Sequence, residues 1–222
     1  EADAFAARSH QNAARAWDEG KFDDQLVPVE IPQRKGDPKI VDTDEHPRAT
    51  SLEALAKLRA PFREGGSVTA GNASGVNDGA AALIIASAEA AKKHGLTPIA
   101  RILGGATAGV APRIMGFGPA PASKKLMTRL GRTPDDFAVI ELNEAFASQA
   151  LYCRDTLGID NDKLNVSGGS ISIGHPFGMT GARMTGHLLI EGRRRGAKLG
   201  IVTMCIGGGQ GIALALENLS AA

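Results

Sequence analysis

The stretch LGIVTMCIGGGQGIALALENL, Leu199–Leu219, reads as two apolar runs of similar length joined by a glycine turn. β-Branched residues and short length make each run a strand, so the pair predicts an antiparallel hairpin. Working outward from it, apolar strand-like runs alternate with helical patterns. IARILGGATAGV (Ile99–Val110) begins a strand, ASKKLMTRLG (Ala122–Gly131) is a helix stopped by glycine, and DFAVIELNEAF (Asp136–Phe146) is a strand running into a helix. LNVSGGS (Leu164–Ser170) reads as a strand end that leads into SISIGHPFGMTGARMTGH (Ser170–His187) and a long helix. Such alternation places the fold in the α/β class, and the hairpin makes its helix-covered sheet mixed rather than wholly parallel.

Upstream, Phe5, Ala6, Ser9, Ala13 and Trp17 recur at helical spacing. Lys21 to Arg48 is polar and broken by proline, a surface excursion with short strands. Ser51 or Thr50 caps a short helix in SLEALAKLRAPF. AALIIAS (Ala81–Ser87) is expected to be a covered strand, and EAAKKHG (Glu89–Gly95) a helix with a glycine stop.

With 222 residues, 43% hydrophobic and 22% charged, the chain has the composition of a globular protein able to bury a core. A formal charge of +1 gives no polybasic surface for nucleic acid. The basic run EGRRRGAK (Glu191–Lys198) reads as a solvated helix end, where cations complement the dipole. No apolar run approaches the ~20 residues of a membrane span. Two cysteines far apart, Cys153 and Cys205, fit a reduced compartment, cytoplasm or organelle matrix, better than a disulfide framework. No metal-binding spacing is present, so no metal is expected.

Four places could carry chemistry. Cys205 ends a strand beside glycines that leave backbone N–H groups free to approach a ligand; the loop alone is equally compatible with a small buried hydrophobe in a tight hairpin. The glycine run precedes a strand, so it is not a dinucleotide fingerprint. His175 stands before Pro176, which suits the first turn of a helix; the helix N-terminus disfavours the imidazolium and keeps the ring a base or a neutral donor. Asn143 and Glu144 lie at the carboxyl edge of a strand, where α/β proteins build sites. Asn143 could hold a water and Glu144 orient a neighbour, or the two could merely cap the following helix. GNASG (Gly71–Gly75) suits close approach of a ligand or is a plain loop. His10, His46, His94 and His187 read as surface or packing residues.

Taken in order, VTAGNASGVNDGAAAL, MGFGPAPA, ELNEAFA, NVSGGSISIGHPFGMTGAR and TMCIGGGQGIALALE resemble the motifs of the thiolase family, over Ser67 to Glu217 and, through RSH in the first helix, almost to the N-terminus. The resemblance implies CoA-dependent acyl transfer, either thiolytic cleavage of 3-ketoacyl-CoA or Claisen condensation of acyl-CoA, with CoA as substrate or product and a slight preference for catabolic use in β-oxidation. It assigns His175 to activating the nucleophilic thiol and binding the thioester oxygen, with Asn143 holding a water in that oxyanion site. Cys205 becomes the acid/base for the α-proton, with the Gly207 N–H in a second oxyanion hole. Ser74 touches the pantetheine, and Phe62 and Phe146 line its channel.

The family's covalent acyl carrier is a different cysteine, from a region preceding the first helix here, and Cys153 does not occupy that motif. The expectation is therefore a C-terminal thiolase portion: residues 1–66 the end of a loop domain, 67–97 the last strand–helix piece of an N-terminal core domain, and 98–222 a complete C-terminal core domain. Such a chain is expected to be inactive alone, to need the missing N-terminal part, and to belong to a dimer or tetramer. A non-catalytic CoA- or lipid-binding module is the alternative. A relative condensing carrier-bound chains would place a histidine where Cys205 stands.

Overall fold

The computed structural model describes residues 1–220. Helix α1 (Ala2–Asp18) buries Phe5, Ala6, Ser9 and Ala13, as their spacing predicts, and also His10. The excursion that follows holds an antiparallel ribbon of β1 (Val29–Ile31) and β2 (Lys39–Val41). Ser51 caps α2 (Leu52–Leu55), accepting from the Ala54 N–H at 3.2 Å. Ser87 caps α3 (Ala88–Lys93) in the same way at 3.0 Å.

Beyond them come β3 (Ala100–Gly109), α4 (Pro119–Leu130), β4 (Val139–Leu142), α5 (Ala147–Leu157), α6 (Ser170–Ile173), α7 (Thr180–Arg194), β5 (Leu199–Ile206) and β6 (Gln210–Asn218). The last two form the expected hairpin. The sheet runs β3–β6–β5–β4, with β4 parallel to β5 and the other pairs antiparallel, so it is mixed. Alternation within the strands feeds two cores. Ile140, Leu142, Ile201 and Ala215 pack with Leu126, Phe137 and Leu151 toward α4 and α5, whereas Val139, Val202 and Leu216 pack with Met184 and Leu188 of α7. α1 lies outside α5 and α6.

The start of α4 meets the start of β6 backbone to backbone. A Cβ on Gly211 would overlap the Gly118 carbonyl, and one on Gly118 would lie 2.3 Å from the Gln210 oxygen. Glycine in MGFGPAPA and in GGGQG is thus a packing requirement of the helix–sheet contact, besides any role in a ligand site.

Three expectations need correction. Ala81–Ser87 forms no strand: it has no regular structure, with Ile84 89% and Ile85 76% exposed. A ladder needs a partner, and no described residue offers this segment one; it runs instead beside α7, Gly79 against Pro176 and Leu83 against Gly186. LNVSGGS contributes only single bridges, Leu164 to Ile140 and Val166 to Gly168, because Asn165 turns the chain at φ 45 and Ser170 starts α6. Pro176 lies in a turn ahead of α7 rather than in its first turn, its carbonyl accepting from the N–H groups of Met179 and Thr180.

His187 is buried on α7 and donates Nδ1–H to Gln25 Oε1 at 3.1 Å, against the Phe22 ring. Burial first, then the charges of Arg183, Arg194, Lys21 and Arg195, push its pKa down to about 3. His10 moves the same way, to about 4, through burial and then Arg48 and His46. The folded chain holds both rings neutral while the unfolded chain protonates them near pH 6.5. Stability from them is therefore complete above that pH and drains away below it. Between pH 7 and pH 5 His187 alone should cost about 2 kcal/mol of unfolding free energy. Urea titrations at the two pH values should show the loss, and it should shrink in His187→Gln.

Candidate functional site

The site sits at the carboxyl edges of the parallel pair β4 and β5. The Asn143 N–H, one residue past β4, donates to the Thr203 carbonyl at 3.0 Å, so Asn143 and Cys205 emerge at one end of neighbouring strands. Asn143 does not cap α5. Four residues, Asn143–Phe146, separate β4 from that helix, whose first N–H groups find the Asn72 carbonyl and the Gln149 side chain. The freed Asn143 side chain turns toward His175, with Nδ2 at 3.2 Å from Nε2.

The hydrogens in this group are determined by their partners. The Thr180 hydroxyl donates to the Pro176 carbonyl at 2.9 Å, so it accepts from His175 Nδ1–H at 2.7 Å. Ser170 Oγ donates to Asn143 Oδ1, which leaves the Asn143 amide hydrogens facing His175. Both ends require a neutral imidazole with its lone pair on Nε2. Burial first and the charge of Arg183 second lower the His175 pKa, which also favours the neutral ring. Phe177 lies beside it with the ring tilted by 60°, centroids 4.9 Å apart.

Cys205 is buried, and burial raises its thiol pKa. In the resting chain it is a thiol rather than a thiolate, so it can donate a proton but is a poor nucleophile. Cys153 is buried on α5, donates to the Gly116 carbonyl at 3.3 Å, and is pushed up to about 11 by burial. Gly207 lies exposed in the hairpin turn.

Ser74, Phe146 and Phe62 form a second group. Ala73 bridges Phe146, and the Ser74 N–H donates to the Ala145 carbonyl at 3.0 Å, so GNASG pairs with the loop that carries Asn143. Phe62 is 76% exposed and meets the Phe146 ring edge-on at 6.5 Å. The loop Asn143–Phe146 thus joins the two groups. Glu144 points the other way, into the core, where it accepts from Ser9 Oγ (2.7 Å), Asn165 Nδ2 (2.8 Å) and the Ile171 N–H (3.2 Å). Burial raises its pKa and these bonds oppose the rise. Among the described residues no group of His, Cys, Asp or Glu is arranged to hold a metal, and no helix is long and apolar enough to cross a membrane.

Ser170, Thr180, Asn77 and His46 were not singled out from sequence. The first two stand within SISIGHPFGMT, where a hydroxyl near the histidine was a readable signal; Asn77 reaches it, and His46 reaches Asn77, only through the fold.

Residues 96–218 match the family model described as thiolase, C-terminal domain, and residues 1–89 that described as thiolase, N-terminal domain. The chain is 58% identical over 220 residues to the β-ketoadipyl-CoA thiolase of Pseudomonas aeruginosa and 54% identical over 218 residues to the acetyl-CoA acetyltransferase of Allochromatium vinosum. Each match covers 98% of this chain and 55% of the relative, so the chain spans about half the length of these curated relatives. The crystal structure of the Bacillus anthracis acetyl-CoA acetyltransferase superposes with a TM-score of 0.94 at 49% identity, covering 98% of this chain and 55% of that one. Human mitochondrial 3-ketoacyl-CoA thiolase in complex with CoA superposes at 0.93 with 47% identity, covering 98% and 54%.

Long-range 1H–15N spectra at pH 7 should show His175 protonated on Nδ1 and bare on Nε2. Thr180→Val removes the acceptor for Nδ1–H, and an Nε2-protonated population should then appear; a ring already protonated on Nε2 in the unaltered chain would contradict the network.

Proposed function

The chain belongs to the thiolase family, and on that premise we propose that it serves CoA-dependent acyl transfer: thiolytic cleavage of 3-ketoacyl-CoA or Claisen condensation of acyl-CoA. The observation that carries the reading is the directed Thr180–His175–Asn143–Ser170 network, set at the strand edge where Cys205 emerges.

In this reading His175 Nε2 takes the proton of a nucleophilic thiol, which attacks the substrate carbonyl. The new N–H, with a water held by Asn143, then faces the developing oxyanion. During cleavage the C2–C3 bond breaks, its electron pair becomes the enolate of an acyl-CoA, and the Cys205 thiol supplies the proton to C2. The resulting thiolate removes the proton of the incoming CoA thiol, whose sulfur attacks the acyl enzyme and releases the shortened acyl-CoA, while the departing enzyme thiolate regains its proton from His175. Condensation runs these steps backward. The raised pKa of Cys205 supports the role of acid, and the Gly207 N–H is assigned to the enolate oxygen. Ser74, Phe146 and Phe62 are read as contacts for the pantetheine arm; their grouping on one loop supports this.

The nucleophile is assigned to polypeptide outside this sequence, since both cysteines here are buried with raised pKa values. Residues 1–66 are read as the end of a loop domain, 67–97 as the last strand–helix piece of an N-terminal core domain and 98–222 as the C-terminal core domain. The unpaired apolar run Ala81–Ser87 supports the middle assignment. The whole protein is read as a homo-oligomer, dimer or tetramer, working on acyl-CoA in a reducing compartment.

Intact mass after incubation of this chain with acetyl-CoA or acetoacetyl-CoA should show no acyl adduct, and a stable adduct on Cys205 or Cys153 would overturn the assignment. In protein that includes the nucleophile, His175→Ala should abolish acylation. Cys205→Ala should keep acylation yet slow cleavage and condensation by about 10²-fold or more, the range of general acid–base catalysis.

A further inference from the structure

His46, read from sequence as a surface or packing residue, is half-buried and holds both sides of the bend that presents His175. Its Nε2 lies 3.0 Å from the Ile171 carbonyl, which can only accept, so Nε2 carries the hydrogen. In the neutral ring Nδ1 is then a bare acceptor, facing Asn77 Nδ2 at 3.3 Å. Asn77 Oδ1 in turn accepts from the backbone N–H of His175 at 3.1 Å. Each of these three bonds pairs a donor with an acceptor, and reversing the Asn77 amide would set acceptor against acceptor at His46 Nδ1 and donor against donor at the His175 N–H.

The bend between Ile171 and His175 is one that only glycine adopts readily: Gly174 has φ 110 and ψ 166. Glycine also makes the room. A Cβ on Gly174 would lie 2.7 Å from Asn77 Oδ1, and one on Gly75 equally close to that oxygen and to His46 Cε1. Three distant stretches, DTDEHPR, ASGVNDG and SISIGHP, therefore close a hydrogen-bonded ring around Gly174.

We propose that His46, acting directly on Ile171 and through Asn77 on His175, is a positioning residue that fixes the backbone from which the His175 imidazole reaches Asn143. The proposal rests on the thiolase reading of His175 for its functional consequence, though not for its geometry. Neither His46 nor Asn77 touches reacting atoms. Losing either releases the His175 N–H and lets the ring drift from its partners, while the pantetheine contacts at Ser74 and Phe146 stay in place.

The two functions of the ring separate by substitution. His46→Asn keeps an acceptor where Nδ1 stood and so keeps the link to Asn77; His46→Gln keeps a donor where Nε2 stood and loses that link. In the full chain, hydrogen exchange followed by NMR should show the His175 amide exchanging about tenfold faster in Asn77→Ala and His46→Gln, with His46→Asn restored toward the unaltered rate. Thermal melts recorded alongside identify any variant that fails to fold, and the His46→Asn and His46→Gln pair then carries the comparison. In protein that turns over acyl-CoA, kcat should fall about tenfold in His46→Gln with KM for CoA unchanged, and recover in His46→Asn. Equal His175 exchange in all variants, or equal loss in His46→Asn and His46→Gln, would overturn the proposal. Exchange that changes as expected while His175→Ala still transfers acyl groups would leave the clamp standing and remove the thiolase reading of His175 instead.

Discussion

The arrangement depends on one buried carboxylate. Glu144 is fully enclosed, and it gathers α1 through Ser9, α6 through the Ile171 N–H and the turn after the edge bridge through Asn165. An enclosed carboxylate without donors is costly, and each hydrogen bond to a charged group returns about 1.5–3 kcal/mol. These three segments are therefore held by a group that cannot do without any of them. Asn165 does further work at the edge of the sheet: its amide accepts from the Leu142 N–H at 2.9 Å and donates to the Leu142 carbonyl at 2.8 Å, as a neighbouring strand would. The close approach requires glycine, since a Cβ on Gly169 would fall 2.3 Å from the Glu144 carboxyl carbon.

Adjacent residues on one loop thus divide the labour. Glu144 faces inward and assembles the scaffold; Asn143 faces the site and meets His175. Because Ile171 is tied to Glu144 by its N–H and to His46 by its carbonyl, α6 is held on both sides, and the bend at Gly174 starts from a fixed point. Rigidity at His175 therefore derives from segments more than 100 residues apart in sequence.

That distance explains what was legible. The hairpin of β5 and β6, the helix stopped at Gly131 and the cap at Ser51 are local signals, and period and capping chemistry revealed them. Ala81–Ser87 misled because composition reports that a run is apolar, whereas a strand exists only when another backbone lies alongside. At the site, Asn143, His175 and Cys205 stood out by their loops, and Ser74, Phe62 and Phe146 came from resemblance. His46 escaped notice because its partners, at positions 77 and 171, are neighbours only after folding. The glycines of GGGQG were read for ligand approach, yet Gly211 is occupied by an internal contact with Gly118, and Gly169 of SGGS likewise packs on Glu144.

Burial treats the two titratable candidates in opposite senses, lowering the His175 pKa and raising that of Cys205. A protein that kept an imidazolium–thiolate pair at rest would need the reverse shifts, the arrangement that suits a nucleophilic cysteine. Here both groups rest neutral, and the standing charge felt at His175 is that of Arg183; in the proposed thiolase reading a proton moves when substrate supplies a carbanion or a thiol. Thr180 already accepts from Nδ1–H and needs no reorganisation when Nε2 gains a proton, whereas the Asn143 amide hydrogens hold Nε2 bare at rest and must turn from the new N–H. Acid–base chemistry on this scaffold follows from neutral partners held in register, and the register comes from Glu144 and from the histidine on the far side of the bend.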